Sequence, residues 1–95
     1  MNDFFEIIKS SKPTLVDFFA TWCGPCRRVA PVVDQIAEER AGSVAVYKLD
    51  IDQSRDVAER YNVMSVPTLM VFQNGQVVST AIGARPKSAI EALLP

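Results

Sequence analysis

The chain has 95 residues, 48% hydrophobic and 22% charged, which fits one globular domain with a single modest core and leaves no room for a second. Ten basic and eleven acidic side chains leave a net charge of −1, so nothing electrostatic draws the chain to nucleic acid or to an anionic membrane. There is no histidine, which removes the commonest general base and the commonest metal ligand, and no run approaches the ~18 apolar residues of a membrane-spanning helix.

In chain order, helical and strand periods alternate. Phe4, Phe5, Ile7 and Ile8 fall at helical spacing in residues 3–10, and Lys12-Pro13 ends that segment. Leu15 to Ala20 is a nearly continuous apolar run, the pattern of a strand covered on both faces. Residues 24–40 form a helix with Val29, Ala30, Val32, Val33, Ile36 and Ala37 on one broad face. Pro31 interrupts its hydrogen-bond ladder and Gly42 stops it. Val44 to Leu49 is the second strand, and residues 54–61 make a short helix. Leu69 to Phe72 and Val77 to Ile82 are strands joined by Asn74-Gly75, the strongest short hairpin signal. Pro86 opens a last helix over Lys87 to Leu94. The pattern predicts an α/β fold with a mixed sheet. Helical crossovers make the first strands parallel, and the hairpin adds an antiparallel edge.

One motif dominates: Trp22-Cys23-Gly24-Pro25-Cys26, directly after a buried strand and at the opening of a helix. The first turn of a helix has unpaired N–H groups and a partial positive charge, so a thiolate at Cys23 is stabilised there and its pKa falls below the free value of about 8.5. The spacing lets both sulfurs meet within one turn, and Pro25 is tolerated because first-turn N–H groups have no helical partner. Three plainer readings compete. A structural disulfide closing so small a loop is worth only ~2 kcal/mol. A metal site needs about four ligands, and there is no third cysteine, unless two chains share it. Two inert buried cysteines fit poorly beside a tryptophan, a glycine and a proline.

The run from Val16 to Cys26, with Ala30-Pro31, Lys48, Asp50-Ile51-Asp52, Val66-Pro67-Thr68, Asn74-Gly75 and Gly83-Ala84, resembles the thioredoxin family over residues 3–94. The resemblance implies a thioredoxin fold spanning residues 1–95 as one domain, with a central mixed sheet and about four flanking helices. It implies that Cys23 is the nucleophile that attacks a target disulfide and that Cys26 is the resolving thiol, more buried and less reactive. Asp17, the one charge in a buried strand, has its pKa raised by burial and is the candidate proton acceptor for Cys26; Lys48 resembles the lysine that modulates it. Pro67 is expected to be cis and to face Cys23, leaving the Val66 backbone free to pair with an extended target. Trp22, Gly24, Pro25, Val66, Pro67, Thr68, Gly83 and Ala84 are the expected contact surface for targets.

Three features depart from the family pattern. The helical pattern begins at residue 3, so the family's N-terminal edge strand is expected to be absent, leaving four strands in the order 44–49, 15–20, 69–73, 77–82. Phe19 stands where the family often has a second tryptophan, and Met64-Ser65 precedes the proline loop. The implied function is that of a protein-disulfide reductase, an electron carrier in cell redox homeostasis. It would be recharged by a thioredoxin reductase that itself holds FAD and uses NADPH. No cofactor or metal is expected on the chain beyond the redox-active Cys23–Cys26 disulfide. The N-terminus lacks the features of a signal peptide, so a cytoplasmic location is expected, and nothing in the sequence demands more than a monomer. An exported oxidase or isomerase, or a non-catalytic module using the same surface, are the alternatives.

Overall fold

A computed structural model describes residues 2–95. The elements run α1 (Asn2–Ile7), β1 (Thr14–Phe19), α2 (Gly24–Glu39), β2 (Ala45–Asp50), α3 (Arg55–Arg60), β3 (Thr68–Gln73), β4 (Gln76–Ile82) and α4 (Lys87–Glu91). The four strands form one sheet in the order β2-β1-β3-β4, as the sequence predicts. α1 and α4 are shorter than their apolar patterns; each continues into turns after its last full hydrogen-bonded residue.

Strand polarity differs from the sequence reading in one place. β1 and β2 are parallel, with Asp17 opposite Lys48. β3, however, runs antiparallel to β1 as well as to β4, with Phe18 opposite Thr68, so the antiparallel part of the sheet extends beyond the hairpin edge. The cause is crossover length. α2 has 16 residues, or ~24 Å at 1.5 Å per residue, enough to carry the chain back along a six-residue strand of ~20 Å. α3 has only 6 residues, ~9 Å, so the chain re-enters the sheet at the end it left.

The strands' two-residue period divides the core. Val16, Phe18, Leu49, Met70 and Phe72 face α1 and α3 together with Phe4, Ile8 and Val57. Leu15, Leu69 and Val71 face α2 and α4 through Val29, Val33, Ile36 and Ile90. Phe4 is fully buried in the first layer, its ring edge-on to Phe72 at 5.7 Å and beside Phe18 and Tyr47. Asp17 follows the same alternation as Leu15 and so lies on the α2 side of a central strand, where the site is built.

Candidate active site

β1 delivers the chain to the N-terminus of α2. Ala20 accepts from the Cys23 N–H at 3.2 Å, a turn that places Cys23 at the cap of the helix. Gly24 and Pro25 fill its first turn, and Pro25 needs no intrahelical partner there. Cys23 and Cys26 are joined as a disulfide with Cα atoms 5.3 Å apart. The backbone N–H of Cys26 donates to Cys23 Sγ at 3.1 Å, the place where a side-chain oxygen caps other helices. The pair packs against Ala20, Phe19, Ile51 and Val66.

The two sulfurs are not separated by burial as expected. Cys23 is 4% exposed and Cys26 5%. Cys26 lies on the buried face of α2, and Cys23 is covered by the loop before β3, whose Val66 carbonyl oxygen lies 3.6 Å from its sulfur. In that loop the Val66–Pro67 peptide is cis. Pro67 and Thr68 are buried, and the Thr68 hydroxyl donates to the Ser65 carbonyl at 2.7 Å, so Thr68 ties the loop from within rather than facing outward. The Pro67 carbonyl accepts from the N–H of Gly83 at 2.8 Å. Gly83, with φ of +93°, takes the backbone conformation that glycine alone adopts freely.

Around the sulfurs lies an exposed rim. Trp22 is 66% exposed, held by its indole Nε1–H donating to Asp52 Oδ2 at 2.8 Å. Gly24, Pro25 and Ala84 are exposed, while Val66 and Gly83 are half-buried. Met64 and Ile82 are further exposed apolar side chains. The tie between Trp22 and Asp52 was not read from the sequence, although Asp52 belongs to the Asp50-Ile51-Asp52 segment that follows the strand beside β1.

Behind the disulfide is an open cavity of about 400 Å³, lined by Asp17, Phe19, Cys26, Arg27, Ala30 and Lys48 among others. Asp17 is 1% exposed, and its Oδ1 has no hydrogen-bond partner among the described residues. Burial pushes its pKa up from 3.8 to about 6, with Lys48 lowering it and Asp34 raising it further. Lys48 thus acts on Asp17 in the expected direction, but its ammonium is paired elsewhere. Its ion-pair partner is Asp34 on α2, at 2.5 Å. Positions 26, 30 and 34 share a helix face, the periodicity that could have located Asp34. Arg27 extends across the mouth and donates to the Thr21 carbonyl at 2.9 Å.

No group of three His, Cys, Asp or Glu side chains suited to a metal occurs among the described residues. A dithiol–disulfide pair at a helix cap, with a buried carboxyl behind it and an apolar rim in front, defines a thiol–disulfide oxidoreductase whose redox group is its own Cys23–Cys26 bond. The thioredoxin family model matches residues 1–95. A thioredoxin of Porphyra purpurea is 52% identical over 89 residues, 94% of this chain and 83% of that protein. A thioredoxin of Streptomyces clavuligerus is 52% identical over 91 residues, 94% of this chain and 84% of that one. Thioredoxin 1 of Synechococcus elongatus is 52% identical over 85 residues, 90% and 79% of the two chains. The chain belongs to the thioredoxin family and is a protein-disulfide reductase. No helix among the described residues is long and apolar enough to cross a membrane.

Proposed function

We propose that Cys23 attacks and Cys26 resolves. The observation that carries this assignment is the Cys26 N–H directed at Cys23 Sγ from the first turn of α2, a donor that stabilises a thiolate at Cys23 and not at Cys26. In the reduced protein the Cys23 thiolate attacks one sulfur of a target disulfide. A Cys23–target bond forms, and the target's other sulfur leaves as a thiolate that takes a proton from water. Cys26 then gives its proton to the Asp17 carboxylate across the cavity and attacks Cys23 Sγ. The target's second thiolate departs, and the Cys23–Cys26 disulfide remains. Two electrons pass from the protein to the target. Lys48 tempers the charge that Asp17 carries.

Trp22, Gly24, Pro25, Val66, Pro67, Gly83 and Ala84 form the face that receives the target, with Thr68 bracing it. An extended target segment pairs with the Val66 backbone. Exposed Met64 enlarges the apolar part of this face and biases it toward apolar target segments. Residues 1–95 act as one domain, a monomeric electron carrier in the cytoplasm. A thioredoxin reductase returns two electrons to Cys23–Cys26, with FAD and NADPH held by that partner. The Gly24-Pro25 pair between the cysteines favours reduction over oxidation or isomerisation.

The test is trapping. Cys26→Ser incubated with a disulfide-containing protein should accumulate a mixed disulfide through Cys23, and Cys23→Ser should accumulate none; the reverse pattern would exchange the roles. Equilibration of the pair against a dithiol buffer, read by Trp22 fluorescence, should give a potential near the −270 mV or so characteristic of thioredoxins. A value of about −120 mV, that of the strong oxidants of this fold, would count against the reductant reading.

A further inference from the structure

We propose that Asp34 is a positioning residue for the resolving step: its carboxylate holds the Lys48 ammonium off Asp17 and so sets how readily Asp17 takes the Cys26 proton. The inference rests on the reading of Asp17 as proton acceptor and deepens it.

The geometry is a contest between two carboxylates for one cation. Asp17 and Lys48 are register partners on adjacent strands and line the same cavity. Register partners on neighbouring strands project from the same face of the sheet, so the two opposite charges start from the same side of it. Yet the Lys48 ammonium sits on Asp34, 2.5 Å away on α2, while Asp17 Oδ1 is left without a hydrogen-bond partner among the described residues. The charged and titratable groups that face the cavity are Asp17 from β1, Lys48 from β2, and Cys26 and Arg27 from α2. The Arg27 guanidinium is tied to the Thr21 carbonyl, and β3 supplies Leu69 opposite Asp17, with no charge. Among the described residues Lys48 is therefore the cation free to answer Asp17, and Asp34 decides how far it does.

The grip is loose. The Asp34 side chain is 64% exposed and that of Lys48 36%. An exposed pair of this kind is weak and readily exchanged. When Asp17 is protonated, Lys48 rests on Asp34. When Asp17 is ionised by passing its proton on, the unpaired buried charge draws the ammonium inward. The raised pKa of Asp17, to which Asp34 itself contributes, agrees with this arrangement.

The experiment is a titration of the Asp17 carboxyl carbon by NMR in the oxidised protein, with the pH profile of mixed-disulfide release measured alongside. Asp34→Asn should lower the Asp17 midpoint by about half to one pH unit. An opposite charge within 4–6 Å moves a carboxyl by ~1–3 units, and exposure discounts that here. The acid limb of the release profile should move down with it. Asp34→Glu, which keeps the charge, should restore the original midpoint. In a Lys48→Met background, Asp34→Asn should move the midpoint by less than half as much. An unmoved midpoint in Asp34→Asn would overturn the proposal. So would an equal shift with and without Lys48, since Asp34 would then act as a bare charge and hold nothing. If Asp17→Asn leaves the acid limb intact, the proton-acceptor reading falls, and the carboxyl titration still decides whether Asp34 controls Lys48.

Discussion

Replacing Asp17 with asparagine should make the protein more stable at neutral pH and no more stable in acid. Asp17 is buried in the middle of β1, and its pKa rises from 3.8 to about 6 on folding. A tenfold change in proton affinity is worth ~1.36 kcal/mol, so the folded state carries a penalty of about 3 kcal/mol once Asp17 is ionised. The sign follows from proton counting. Between pH 3.8 and about 6 the native state binds more protons than the unfolded chain, so stability falls as pH rises through that window and is level above it. Asparagine resembles the protonated acid and never bears the penalty. Its amide brings a cost of about 1–3 kcal/mol if it finds no partner, but that cost is independent of pH. The informative quantity is thus the change in the difference between the two proteins. Urea unfolding of oxidised wild type and Asp17→Asn, at pH 7.5 and again near pH 3.5, should show the variant gaining about 3 kcal/mol relative to wild type between the acid and the neutral series. A difference that does not change with pH would refute the reasoning, because the Asp17 carboxyl would then titrate alike in the folded and unfolded chains. The same variant should release mixed disulfides more slowly at neutral pH, so stability and turnover move in opposite directions at this residue.

Phe4→Ala removes a fully buried ring that touches Phe18, Tyr47 and Phe72, and should cost about 3–5 kcal/mol in denaturant unfolding while leaving the Cys23–Cys26 potential near its wild-type value. Trp22→Phe keeps the exposed ring but loses the indole donor to Asp52. It should change stability by no more than about 1 kcal/mol. In insulin-type turnover assays it should raise KM more than it lowers kcat, the signature of a contact made equally in ground and transition states. A fall in kcat alone would show that the tie serves the chemistry instead.

How much could be read in advance differed by the range of the interactions involved. The elements and strand order were legible because hydrophobic period, Asn74-Gly75 and Pro86 are local signals. So was the position of Cys23 at the start of α2, since a strand, a tight turn and a helix adjoin in sequence. The direction of β3 was not, because it depends on how far a six-residue helix can carry the chain, a length the apolar pattern leaves loosely bounded. Equal burial of the two cysteines was missed because what covers Cys23 comes from Val66, distant in sequence and folded over it. The partners of Trp22 and Lys48 were missed for the same reason. Asp52 and Asp34 look like ordinary surface acids until the fold sets them against a particular indole and a particular ammonium.

The hydrogen bond from the Cys26 amide to Cys23 Sγ bears on speed. A two-electron carrier must cycle, and each atom that has to be rearranged between its oxidation states adds to the barrier in both directions. Here the group that would solvate the sulfur anion after reduction already points at that sulfur in the disulfide, fixed by the opening turn of a 16-residue helix. Dipoles set in place beforehand need no reorganisation when charge appears. The two redox states can therefore share one backbone, with motion confined to side chains and protons, and the scaffold need not relax between accepting electrons from one partner and passing them to the next.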